Sequence, residues 1–254
     1  MNQFIHKPFF VLGIGLFFFI SQTRCFGQDD IVDRVIAVYG TAKLKSAQAS
    51  FDFRDHAYQY KRDNGQFTYT RMGKNRDGSP VRDIYSNDGL VRYVGDTLVS
   101  LTEKRRKAYA NSVNSVIYFA FLPLWLKDPA VILQDKGTSK IKGREYHKIK
   151  VTFGQEDGGD DFEDIFYYWF DVKDLSMDYL AYKYKTGKGG MRFREAYNIR
   201  KVNGVTIQDY HNFRPKLKGS VPFDLIEKAF ENGQLEELSI IELKNVKIKA
   251  IPKT

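Results

Sequence analysis

The sequence predicts a mainly β (α+β) protein: a curved antiparallel half-barrel sheet with an N-terminal helix and an apolar helical plug, or lid, in its concave face. Three observations carry that expectation. Residues 165–214 read as four strands in succession, with turns at 174–176, 186–190 and 203–204, which makes a meander and leaves no room for crossover helices. Residues 57–71 (AYQYKRDNGQFTYTR) alternate aromatic and polar side chains around Asn64-Gly65, a pair that readily supplies the positive φ angles of a tight hairpin turn. Between these β-rich halves, residues 116–122 (VIYFAFL) carry neither a charge nor a helix breaker.

The chain opens with an export leader over residues 1–27. Lys7 gives a basic start, residues 9–20 (FFVLGIGLFFFI) an apolar stretch, and residues 21–27 a polar exit ending in Gly27. The apolar stretch, at about a dozen residues, falls short of the roughly 20 that span a bilayer. Cleavage after Gly27 leaves Gln28 first and one domain over residues 28–254. The competing reading lipidates Cys25; Gln22-Thr23-Arg24 disfavour it, because that site takes small or apolar neighbours. Cys25 is the only cysteine, so the rest of the chain forms no disulfide and holds no thiol nucleophile. Stability must come from the core, and 20 Phe with 16 Tyr can supply one.

The first mature element is an amphipathic helix within residues 30–44, with Ile31, Val35, Val38 and Tyr39 at helical spacing and Gly40 ending the run. Residues 49–54 begin the β-region, and the 57–71 hairpin follows. A loop over 74–80 leads to short strands at 81–86, 90–94 and 97–102. The central segment, 111–129 (NSVNSVIYFAFLPLWLKDP), has apolar residues at 113, 116, 117, 120, 121 and 124. Tyr118, Phe119, Leu122 and Trp125 fill its other side, so the segment is apolar all round and must be enclosed by protein or cover an apolar cavity. Strand resumes at 131–134, a turn follows around Gly143, and 145–153 (EYHKIKVTF) is a strand. The acidic stretch 155–164 reads as a solvated loop. On the 165–172 strand Tyr167 and Trp169 share one face and Phe166, Tyr168 and Phe170 the other, so it is covered on both sides. Residues 222–232 read as a short helix and 238–250 as a last strand.

Catalytic and cofactor signatures are weak throughout. The acidic loop matches no calcium-loop spacing, His56, His147 and His211 form no local ligand pair, and no serine sits in a nucleophile elbow. Residues 187–190 (GKGG) join two strands and read as a turn. No cofactor is expected. The net charge of +9 is interspersed with acids except at residues 104–107 (KRRK), which describes a mixed solvated surface and not a nucleic-acid site. Arg192, Arg194 and Arg200 share one strand face: a wet face, partners for acidic neighbours, or a contact for an anionic headgroup.

Several stretches resemble an uncharacterised family of exported proteins common in Bacteroidota: residues 50–54 (SFDFR), 109–119 (YANSVNSVIYF), 122–131 (LPLWLKDPAV), 146–153 (YHKIKVTF), 178–184 (DYLAYKY) and 190–198 (GMRFREAYN). That family brings no activity with it. In element order the chain resembles the periplasmic lipoprotein carriers LolA and LolB, a resemblance that implies an acyl-binding cavity between a half-barrel and its helices. The expected function is an exported, envelope-associated binding protein, a monomer, holding a hydrophobic small molecule, a lipid or a lipoprotein acyl chain, with peripheral membrane contact. The expected lining is Ile117, Phe119, Phe121, Leu122, Trp125, Tyr167 and Trp169. The alternatives are an envelope hydrolase without a recognisable motif and a structural protein whose plug only completes the core.

Overall fold

The computed structural model describes residues 28–154, 163–185, 187 and 189–252. Residues 1–27, expected to be an export leader, most of the acidic stretch and two residues of the 186–190 turn thus lie outside the described residues. Helix α1 (Gln28–Tyr39) opens the fold, burying Ile31, Val32, Val35 and Tyr39. Val38, expected on that face, is 46% exposed, and Val32 takes its place. Gly40 ends the helix at φ +65, and a Cβ there would stand 2.1 Å from the Gly204 carbonyl oxygen, so the site admits only glycine. A 3-10 turn (Thr41–Ser46) leads into the strands.

Two seven-stranded antiparallel sheets, curved and unclosed, follow. The first contains β1 (Ala47–Phe53), β2 (His56–Asp63), β3 (Gln66–Lys74), β4 (Pro80–Ser86), β5 (Gly89–Val94) and β6 (Thr97–Val99) in simple succession. The Asn64-Gly65 turn joins β2 to β3 with both residues at positive φ, as its sequence dictates. The second contains β7 (Val131–Ile141), β8 (Arg144–Phe153), β9 (Ile165–Asp171), β10 (Met177–Tyr184), β11 (Gly190–Val202) and β12 (Val205–Pro215), again each beside the next. β7 runs past the expected 131–134 to Ile141, absorbing Lys136 and Gly137 as an irregularity, and the expected turn around Gly143 falls at Lys142-Gly143 before β8.

The stretch expected as one last strand is two. β13 (Leu235–Ile241) pairs with β12 in the second sheet, and β14 (Lys244–Ala250) pairs with β1 in the first. The chain changes sheet at Leu243. Its N–H donates to Asp209 Oδ1 at 2.9 Å, and its carbonyl accepts from Arg200 Nη2 at 2.5 Å. Asp209 also takes Arg200 Nη1 at 2.9 Å and Asn198 Nδ2 at 2.6 Å, so a buried carboxylate fixes the crossing.

Helix α2 (Glu103–Ala120) links the two sheets, and it begins earlier than the apolar run. Thr102, expected to end a strand, instead lies before it, accepting from the Arg105 N–H at 3.4 Å. The charged residues 103–107 fit there because that half of the helix faces solvent. Val113 and Ile117 are its fully buried positions; Val116, Tyr118, Phe119 and Ala120 are half-buried. The enclosed stretch comes after the helix, where Phe121, Leu122, Leu124, Trp125 and Leu126 are buried.

One core cluster joins both sheets, with Phe51 and Tyr60 from the first and Ile149, Tyr168 and Leu180 from the second. The opposite face of the second sheet is covered too. A 3-10 turn (Phe223–Leu225) and α3 (Ile226–Glu231) lie over Tyr167, Trp169, Tyr179 and Phe193 in a second cluster. Lys148 secures them, its Nζ donating to Glu227 Oε1 at 2.7 Å and to the Asp224 carbonyl at 2.8 Å. This covering explains why β9 is apolar on both faces.

Candidate functional site

Two clefts flank α2 where it faces the second sheet. The first, about 510 Å³, lies between Val116, Phe119 and Ala120 of α2 and Tyr182, Arg194 and Tyr210 of β10, β11 and β12. The second, about 590 Å³, is bounded by Tyr118, Phe119 and Trp125 on one side and Phe153, Phe166 and Tyr184 on the other. Phe119, Ser115, Tyr182 and Arg192 line both. Phe119 therefore stands between them, with its ring 5.2 Å from Tyr182 and 6.2 Å from Phe166.

Strand alternation decides which side chains reach this space. In the β-ladder Phe166 faces Tyr182, which faces Arg192, while the next inward row runs Tyr168, Leu180, Arg194 and Asn212. Tyr118 and Tyr168 share a hydroxyl–hydroxyl hydrogen bond of 3.1 Å. Burial pushes both phenols well above the ordinary tyrosine range, so they stay neutral. Beneath the first cleft Gln208 donates to the Tyr210 hydroxyl at 2.8 Å and to the Met177 carbonyl at 2.9 Å, and accepts from Tyr39 at 2.9 Å. Burial carries the Tyr210 pKa up to about 12. The wall of the first cleft thus mixes aromatic and aliphatic side chains with Arg54, Arg192 and Arg194, and neutral polar groups lie beneath it.

α2 is held differently by its two neighbours. On the first sheet, Asp83 is 1% exposed and accepts from Arg71 Nη2 at 2.6 Å and from Arg92 Nε at 2.6 Å. Burial alone would raise its pKa, but the hydrogen bonds from Arg92 and Arg71 outweigh that and lower it. Both arginines reach on to the helix: Arg71 Nη1 donates to Ser112 Oγ at 2.7 Å, and the Arg92 guanidinium lies 3.4 Å from the Tyr109 ring centroid. Arg106 of the helix donates to the Leu90 carbonyl at 2.8 Å. Towards the second sheet the contacts are rings, the Tyr118–Tyr168 pair and the Arg194 guanidinium on the Phe119 ring.

The seven residues expected to line a site divide three ways. Phe119 and Trp125 are on the cleft walls. Ile117, Phe121 and Leu122 sit in the closed core, Phe121 packing its ring 4.9 Å from Tyr60 and 5.8 Å from Phe51. Tyr167 and Trp169 belong to the other face of β9, where Tyr167 donates to Asp224 Oδ1 at 2.6 Å and Trp169 to Ser139 Oγ at 3.1 Å. Their alternation was readable, but with both faces apolar nothing in the sequence chose which one turns to α2; Phe166 and Tyr168 do. Of the residues not expected, Arg192 and Arg194 had a signal in their shared strand face, while Tyr182, Gln208, Tyr210 and Asn212 had none. Arg200 leaves that pattern because an irregularity between Tyr197 and Arg200 redirects it to Asp209. Among the described residues no three His, Cys, Asp or Glu side chains group to hold a metal ion, and no helix is long and apolar enough to cross a membrane.

No curated protein matches the sequence significantly. Among solved structures, the chain is similar to a LolA superfamily protein from Nitrosomonas europaea, with TM-score 0.48 and 10% identity over 86% of this chain and 94% of that one. It is also similar to a putative outer membrane lipoprotein-sorting protein domain from Vibrio parahaemolyticus, with TM-score 0.42 and 6% identity over 86% and 93%. A DUF1329 family protein from Desulfovibrio piger gives TM-score 0.43 and 11% identity over 86% and 92%. At these values the likeness carries no inference about this chain. The model of DUF6503, a family of unknown function, matches residues 7–243, through the end of β13 and two residues beyond, and so the chain belongs to the DUF6503 family.

Proposed function

We propose that this is an exported cell-envelope binding protein that holds a hydrophobic ligand, a lipid or the acyl chain of a lipoprotein, in the clefts between α2 and the second sheet. One observation carries the reading: Phe119, a large apolar side chain, is half-buried between two clefts whose walls combine aromatic and aliphatic side chains with polar and charged ones. Their volumes fall within the range of about 300–1,000 Å³ usual for small-molecule sites. In this reading α2 serves as the plug, residues 1–27 are the export leader, and residues 28–254 form one domain working as a monomer. Exposed Lys104, Arg105 and Lys107 at the start of α2 are placed for peripheral contact with an anionic membrane surface.

Native mass spectrometry of protein purified from the envelope without detergent tests this directly. The expected spectrum carries an adduct of lipid mass, and the emptied protein takes up a fluorescent fatty acid saturably. Preparations that are repeatedly ligand-free, together with no uptake of the fluorescent probe, overturn the proposal.

A further inference from the structure

Among the described residues Arg194 has no charged partner, at a place where lacking one is costly. It is 7% exposed, in the middle of β11, between a buried Phe193 that belongs to the outer cluster and the wall of the first cleft. Its Cζ lies 4.1 Å from the Phe119 ring centroid, 5.1 Å from that of Tyr182 and 5.8 Å from that of Tyr210. Nη2 donates to the Tyr182 hydroxyl at 3.1 Å. Nε and Nη1 are buried and have no acceptor among the described residues. Neighbouring Asn212, opposite Arg194 in the β-ladder, likewise has its Oδ1 without a donor.

Attraction to ring faces offsets part of the cost of burying a guanidinium, but it leaves the N–H groups unsatisfied. An apolar side chain of similar volume would pack there without that cost. A purely structural role therefore does not explain an arginine at this position. The surroundings add a second, independent sign: Arg54, Arg192 and Arg194 all line the first cleft, and among the described residues no aspartate or glutamate does.

We infer that Arg194 anchors an anionic headgroup, so that the ligand of the clefts is an anionic amphiphile. Oxygens of a carboxylate or a phosphate accept from Nε and Nη1, and the apolar tail lies along Val116 and Phe119. Arg192 and Arg54 add positive potential on the same wall. This inference rests on the binding function proposed above and specifies the class of ligand.

The test compares three probes of equal chain length on the full-length protein after export: palmitate, hexadecyl phosphate and the neutral hexadecanol. Each displaces an uncharged apolar fluorophore. The expected result is that at least one anionic probe binds about tenfold or more tightly than hexadecanol, and that Arg194→Gln removes this preference; an Arg194→Gln protein that keeps it overturns Arg194 as the anchor. Preference for palmitate alone identifies a carboxylate head, and preference for hexadecyl phosphate alone a phosphate head. Equal affinity for all three probes overturns the anionic head and leaves hydrophobic binding intact. Binding of none overturns both. Should Arg194→Gln fail to fold, the ranking of the three probes on the unaltered protein still decides.

Discussion

Phe119 and Phe121 stand on the same short segment and are held in different ways. Phe121 is fully buried, packed edge-on against Phe51 and Tyr60. Removing its ring leaves a cavity in a core built by both sheets, and Phe121→Ala is expected to cost about 3–5 kcal/mol. Phe119 bounds open space on two sides, so Phe119→Ala is expected to cost about 1–2 kcal/mol and to weaken uptake of an apolar probe instead. Urea unfolding of the two variants beside a probe titration checks both halves; equal losses of stability would show that Phe119 is ordinary core. The sequence showed that both rings belong to an apolar segment. It could not separate them, because their difference depends on what lies across the gap.

α2 is moored by a row of charges on one side. Arg71, Asp83 and Arg92 face each other across β3, β4 and β5, and both arginines continue to the helix. Replacing Asp83 by Asn leaves two largely buried cations together, a loss of about 3–5 kcal/mol by the usual cost of breaking such a group from one side. Hydrogen exchange should then quicken first in the amides of α2. The pH dependence has a definite sign. Asp83 titrates below the ordinary carboxylate value because the arginines' hydrogen bonds outweigh its burial, so its contribution is complete above about pH 4 and is lost as pH falls through the depressed value. Urea midpoints measured from neutral to acid pH should fall more steeply for the unaltered protein than for Asp83→Asn in that window. None of this row was legible in advance. Arg71 and Asp83 look like solvent-facing strand residues, and residues 104–107 look like a lead-in loop until the exposed half of the helix is seen to need charge.

At the scale of the molecule, the two tryptophans report on two different packings. Trp125 lies in the cluster shared by the sheets, and Trp169 in the one beneath α3. Because β9 contributes to both through alternate residues, the two should melt together. Trp125→Phe and Trp169→Phe, each followed by fluorescence in urea, are expected to give one midpoint with the far-ultraviolet signal of the strands; a separate early transition in the Trp125→Phe variant would mark α3 as a loosely attached cover. The succession of strands and the doubly covered β9 were readable from alternation and turn residues. The crossing at Leu243 was not, since it depends on Asp209 and Arg200 reaching from distant positions to meet it. The unequal fastening of α2 has one further outcome. Arginine hydrogen bonds and a cation–ring contact hold it to the first sheet, while rings, a tyrosine pair and Arg194 meet it from the second, and both hollows lie on that second side. On the binding function proposed above, a long-chain guest would enter there like a letter slipped behind a shutter, leaving the arginine contacts undisturbed and parting mostly rings that water-averse cargo can replace.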